Sequence, residues 1–333
     1  MQKGHQTWVF DSQPVIIGSA AVGGPFEANG ALGDDFDICH GDMWLGQKSF
    51  EKAEKKLLEQ ACEIAIDKAG MKKEDVQFFI SGDLMNQIIS SSFTARTLGA
   101  PFLGVFGACS SSMEGLAIAS LIVNSKAGKN VLAACSSHNG SVEKQFRYPT
   151  EYGAQKPPTA QWTVTGAGAA LVADQGEGPR VTAATVGRVV DMGISDPFNM
   201  GAAMAPAAVD TIQAHFRDMG IDPTYYDVIA TGDLGKVGHA IAGDLLKKHG
   251  MNIPEEILTD CGIMIYKEDQ PVFAGGSGCA CSATVTFGHF MKRLKKGELK
   301  RILVVATGAL LSPLSYQQKE TIPCIAHAVA IEA

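Results

Sequence analysis

Cys109 stands in the run Gly107-Ala108-Cys109-Ser110-Ser111-Ser112-Met113-Glu114. The stretch behind it, Met113 to Val123, is apolar nearly all round and predicts a fully buried helix. A thiol at such a helix start meets free backbone N–H groups and the positive end of the helix dipole. Both favour a thiolate, and both suit a bound anion. The same position equally suits a small buried hydrophobe, which is the usual state of a free cysteine. A second turn, Cys279-Ala280-Cys281-Ser282, repeats the first, with Cys281 standing 172 residues after Cys109. At the same offset, Val131-Leu132-Ala133-Ala134-Cys135 matches Leu303-Val304-Val305-Ala306-Thr307 without a gap. Cys279 and Cys281 are too close for a Cys-x-x-Cys zinc site and have no matching second pair. No Asp-x-Asp-x-Asp-Gly loop is present, so neither a metal site nor a cofactor is expected.

The elements that position these turns are duplicated too. Phe50, Ala53, Leu57, Ala61, Ile64 and Ala65 recur at helical spacing, with Ser49 as a cap and Gly70 as a stop. A charged link leads into a strand, Val76 to Ile80, and then Gly82-Asp83-Leu84. In the second half, Val209, Ile212, Phe216 and Met219 form a helical stripe after Pro206, which Gly220 ends. Asp222-Pro223 turns the chain into a strand over Tyr226 to Ala230, followed by Gly232-Asp233-Leu234. Val131–Ala134 and Ile302–Ala306 are continuous aliphatic runs, expected for strands covered on both faces. Ala167 to Val190 reads as a strand, a turn at Gly176–Pro179 and another strand. The chain therefore divides into residues 1–175 and 176–333, two halves packed with central helices between their sheets.

Composition narrows the function. With 46% hydrophobic and 19% charged residues, the 333-residue chain can bury a large core. A net charge of −7 argues against nucleic acid as a partner. The cluster Lys292-Arg293-Leu294-Lys295-Lys296 reads as a solvated helix end. Met1 to Asp11 is polar, with Trp8 and Phe10 interspersed, and does not read as an export signal. No apolar run reaches 18 residues, and the eight scattered cysteines do not form a disulfide framework. The expectation is a soluble intracellular protein with reduced cysteines.

The duplicated plan around Cys109 resembles the thiolase superfamily, which includes thiolases and ketoacyl synthases. That resemblance implies an α/β protein with a duplicated five-layer αβαβα architecture, and makes Cys109 the acyl-accepting position. Four further stretches, Cys135–Asn139, Gln145–Tyr152, Phe273–Ser282 and Ala306–Pro313, are similar to the stage V sporulation protein AD family of spore-forming Firmicutes. Members of that family are associated with uptake of pyridine-2,6-dicarboxylate (dipicolinate) into the developing spore and are understood to bind it without thiolase activity.

Condensing enzymes of the superfamily also use a His after the first matched strand of the second half, and an Asn or second His near the second cysteine turn. Here those places read Thr231-Gly232-Asp233-Leu234, with no His before His239, and Gly275-Gly276-Ser277-Gly278-Cys279. A carboxylate repels developing negative charge, and loss of a general acid or base costs about 10²–10⁴-fold. His289, in the helix after the second turn, reads as packing. The resemblance thus implies a non-catalytic binding protein; the alternative is an active ketoacyl synthase or thiolase-type acyltransferase that uses Cys109. The expected ligand contacts are Cys109, Ser110, Ser136, Ser137, His138, Asp83, Asn86, Asp233, Gly276 and Ser277. Gln87 and Asn139 stand beside them. For His138 the competing reading is a histidine satisfied by backbone, and for Asp83 a helix cap. Arg147 and Tyr148 are read as holding a loop or a dimer.

The implied partners are dipicolinic acid, alone or as its calcium chelate, other proteins of the spore dipicolinate channel, and a second copy of the chain. The implied location is the forespore cytoplasm, against the spore inner membrane through partner proteins, with a further role in germination.

Overall fold

The structure, a computed structural model, describes residues 1–147 and 156–333. The readings placed on Tyr148 and on the side chain of Arg147 lie outside the described residues.

Each half builds the same five-stranded sheet. In the first, β1 (Val15–Gly23), β2 (Phe78–Gly82), β3 (Phe102–Gly104), β4 (Asn130–Ser137) and β5 (Gly166–Ala173) lie in the order β3-β2-β4-β5-β1. In the second, β6 (Arg180–Thr185), β7 (Val228–Thr231), β8 (Leu258–Asp260), β9 (Arg301–Ala309) and β10 (Cys324–Glu332) lie in the order β8-β7-β9-β10-β6. The first three strands of each order are parallel and the last two add antiparallel. The sheets touch where Arg180 bridges Val15. Thr7–Val9, although N-terminal, pairs with β6 of the second sheet.

The helices repeat as well. α1 (Phe50–Lys68) and α2 (Ile89–Leu98) cover the first sheet, and α3 (Ser111–Asn124) packs between the two. α4 (Asn139–Arg147) follows β4. α5 (Met200–Met219) and α6 (Gly235–Lys248) cover the second sheet. α7 (Cys279–Thr284) lies against α3, with the Ser112 and Ser282 hydroxyls 2.7 Å apart. The layers run helix, sheet, central helices, sheet, helix, the αβαβα plan expected from the sequence. β4 and β9 are buried along almost their whole length, which explains their unbroken aliphatic runs.

Several boundaries differ from the sequence reading. α5 begins at Met200 and carries Pro206 inside it. Its extra first turn is held by packing: a Cβ on Gly201 would meet Leu234 O at 2.3 Å, so the backbones of α5 and α6 approach closely there. Tertiary contact outweighs the helix-breaking effect of proline. The strands read at Val76–Ile80 and Tyr226–Ala230 start two residues later, because short 3₁₀ turns (Lys73–Asp75 and Pro223–Tyr225) occupy their approaches. Beyond α7 the helix widens into a π-helical stretch, Val285–Phe290, before ending at Lys295. His289 lies there, paired with Asp35 at 2.5 Å.

Candidate functional site

Cys109 lies in a 3₁₀ turn, Ala108–Ser110, that runs straight into α3. Ala108 has φ +49°, a left-handed conformation that costs energy for any residue with a Cβ. The neighbouring serines hold it. Ser110 donates to Gly107 O at 2.7 Å, and Ser111 donates to Ala108 O at 2.8 Å while accepting from Gly107 N at 3.1 Å. Gly308 on β9 lets the turn press close, since a Cβ there would stand 2.1 Å from Gly107 O.

The turn opens on a cavity of about 270 Å³. Cys109 and Ser277 line it, their Sγ and Oγ 3.9 Å apart. Phe106, Phe146, Phe198 and Tyr316 supply aromatic surface. Thr163 and Gln161 add polar groups, and Lys156 pairs with Glu143 at 2.5 Å on the wall. α4 forms that wall: Gln145 donates to Leu84 O at 3.2 Å and accepts from Asn86 N at 2.9 Å, tying the helix to the turn after β2.

Behind Cys109 and Ser277 lies the fully buried carboxyl of Asp233. It accepts from the Thr307 hydroxyl at 2.5 Å, the Ser277 hydroxyl at 2.8 Å and Gly278 N at 3.1 Å, and hydrogen bonds the Cys109 thiol. Burial pushes this carboxyl up to about 6, and the four hydrogen bonds restrain it from rising further. For Cys109, burial is the largest effect and the Asp233 charge adds to it, so the thiol is held well above its ordinary value. A helix start that would favour thiolate is overridden by desolvation and a neighbouring anion. The cysteine lines the cavity but is disarmed in charge.

Of the ten residues expected at the ligand, Cys109 and Ser277 line the cavity and Asp233 backs them. The others serve nearby structure. Asp83 is buried and caps α2, accepting from Ser91 N at 2.8 Å and Met85 N at 3.0 Å. Ser110 is consumed in the cysteine turn, Ser136 donates to Glu54 at 3.1 Å, and Ser137 donates to Val164 O at 2.7 Å. His138 accepts from Gly140 N through Nδ1, donates from Nε2 to Met43 O at 2.8 Å and stacks on Phe50. Burial lowers its pKa and keeps the ring neutral, the backbone-satisfied state. Gly276 pairs with Trp162 in a short parallel bridge. Asn86 is exposed beside an adjoining depression of about 330 Å³, which Gln87 also borders, and Asn139 N donates to Thr165.

Over residues 4–332 the sequence matches the family described as stage V sporulation protein AD. The chain belongs to that family. It is 52% identical over 330 residues to the stage V sporulation protein AD of Bacillus subtilis (strain 168), covering 99% of this chain and 97% of that one. Among solved structures it is similar to cerulenin-bound OleA of Xanthomonas campestris, with 16% identity, a TM-score of 0.66 and coverage of 98% and 100% of the two chains. It is similar also to 3-oxoacyl-[acyl-carrier-protein] synthase III of Aquifex aeolicus VF5, at 16% identity, a TM-score of 0.61 and coverage of 96% and 100%. At that identity these two likenesses show the thiolase-like fold, and the sporulation family assignment rests on the sequence match.

Within this sporulation-family chain, the aromatic wall and Gln161, Thr163, Lys156 and Thr307 escaped sequence reasoning. Only Thr307 left a usable signal: it occupies the repeat position of Cys135, near the end of β9. Phe198 comes from the turn before α5 and Tyr316 from a short helix, Pro313–Gln317, after β9, and neither carries such a mark.

Proposed function

We propose that this chain is a non-catalytic member of its sporulation family that binds dipicolinate, free or as its calcium chelate, for uptake into the developing spore, with a further role in release at germination. One observation carries the non-catalytic part: the Asp233 carboxyl lies against the Cys109 thiol, where a condensing enzyme needs a group that stabilises negative charge. The binding part is supported by the cavity itself. Its volume of about 270 Å³ suits a single planar ring, its walls are aromatic, and Thr163 and Tyr316 offer O–H groups to carboxylate oxygens.

On this reading the protein works at the cytoplasmic face of the spore inner membrane, as a homodimer, with other proteins of the dipicolinate channel. Among the described residues no helix is long and apolar enough to cross a membrane. None of their His, Cys, Asp and Glu side chains form a group of three that could hold a metal. The left-handed Ala108 favours a second reading, because a strained turn of this kind is how acyl-transfer enzymes present a nucleophile. Mass spectrometry after incubation with acetyl-CoA separates the two. The proposal expects Cys109 to stay unmodified, and an acyl adduct that turns over would replace it with the enzyme reading.

A further inference from the structure

We infer that Asp233 makes anion binding in this cavity proton-linked: an anion seated against Cys109 and Ser277 draws one proton onto the Asp233 carboxyl. The inference rests on the reading that the cavity takes a dicarboxylate, and it adds the charge state in which that ligand is held.

The geometry leaves little alternative. Cys109 and Ser277 are the polar groups of the cavity floor, and both hydrogen bond to Asp233 on their far side. A ligand carboxylate resting on that floor is therefore separated from the Asp233 carboxylate by one layer of side chains. Among the described residues, nothing charged positively faces Asp233 from the elements packed around it. Thr307 approaches from β9, and Ser277 and Gly278 from the segment before α7. The thiols near enough to feel its charge are Cys109, Cys281 on α7, Cys261 after β8 and Cys324 on β10, and all are neutral, with pKa values raised by burial. Asp260 caps α6 through Leu234 N and Gly235 N and faces His239. Across the cavity, Lys156 is paired with Glu143. A second anion therefore meets an uncompensated charge in a water-poor setting, where like charges cannot both persist. The Asp233 carboxyl already titrates near neutrality, so protonation is the least costly way to remove the conflict.

The proton comes from solvent and no bond to carbon changes: ligand dianion, protein and one H⁺ form the complex. Titrating dipicolinate into the full chain with EDTA present, at pH 7 in PIPES and again in imidazole, counts that proton through the difference in buffer protonation heat. The expected count approaches one, and affinity falls by up to tenfold per pH unit above the Asp233 pKa of about 6. The Asp233→Asn variant, whose amide keeps the Ser277 and Thr307 contacts, is expected to bind with no proton count and no pH slope. Heats that are saturable but identical in both buffers would overturn the linkage and leave the ligand assignment standing. Absence of heat in both buffers, at pH 7 and at pH 5.5, both with EDTA and with calcium in its place, would overturn the dicarboxylate reading itself.

Discussion

Asp233, at the end of β7, hydrogen bonds the Cys109 thiol that the other half of the molecule presents at the start of α3. The contact crosses the duplication, with one residue contributed by each repeat. Its counterpart in the first repeat, Asp83, follows β2 but turns away to cap α2. Equivalent positions have thus taken opposite jobs, and only one of them shapes the cavity.

Removing the Asp233 charge tests its hold on the thiol. Asp233→Asn leaves the burial of Cys109 intact, so the thiol stays less reactive than a free cysteine. It removes the anion that suppresses thiolate, and each pKa unit regained means about tenfold more thiolate. Alkylation of Cys109 by iodoacetamide at pH 8, followed by peptide mass spectrometry, is expected to quicken about tenfold or more. An unchanged rate would show that burial alone governs the thiol.

Buried carboxyls outside the cavity set the pH dependence of stability. Glu27 is pushed from 4.5 up to about 7 by burial, although Tyr266 and Thr165 N hydrogen bond to it. Glu54, held by Ser136 and Ser141, is raised to about 8 by burial and by Asp83. A raised carboxyl binds its proton more tightly when folded, so stability falls as pH rises from the unfolded value to the folded one and levels off beyond it. For Glu27 that window is pH 4.5 to about 7 and the loss is of order 3 kcal/mol. Urea unfolding of wild type and Glu27→Gln across this range is expected to give a falling line for wild type and a shallower one for the variant. Parallel lines would contradict the burial argument.

His138 offers a sharp separation of structure from binding. Its ring joins Met43 O, Gly140 N and the Phe50 face without reaching the cavity lining. His138→Ala is expected to cost about 1–3 kcal/mol of stability, because two backbone groups lose their partner. Dipicolinate affinity should stay within twofold in calorimetry. A tenfold loss of affinity with stability unchanged would return His138 to the ligand site.

Gly308 and Gly107 define how tightly the second sheet presses on the cysteine turn. A methyl group at Gly308 would meet Gly107 O at 2.1 Å, and the obstacle is rigid backbone. Gly308→Ala is expected to lower stability by about 1–3 kcal/mol or more by chemical denaturation, as overpacking does. A variant as stable as wild type would show that the turn can retreat.

The fold was legible because duplication wrote it twice. The aliphatic runs of β4 and β9, the cysteine turns and the Gly-Asp-Leu pairs all announced one plan repeated. The site was less legible. Sequence pattern identified which residues follow strand ends, but side chains at those ends divide between capping, sheet bracing and cavity lining according to their surroundings. Ser136 and Ser277 have the same chemistry; one is spent on Glu54 and the other faces the cavity. The aromatic wall comes from separate segments (Phe106, Phe146, Phe198 and Tyr316) whose convergence is a property of the fold rather than of any local spacing.

A crystal structure of the protein grown with dipicolinate tests the central claim most directly. The account predicts a planar ligand in the cavity, resting on Cys109 and Ser277 against the aromatic wall, with Cys109 unmodified. An empty cavity with the ligand bound elsewhere, or no bound ligand at saturating concentration, would contradict it.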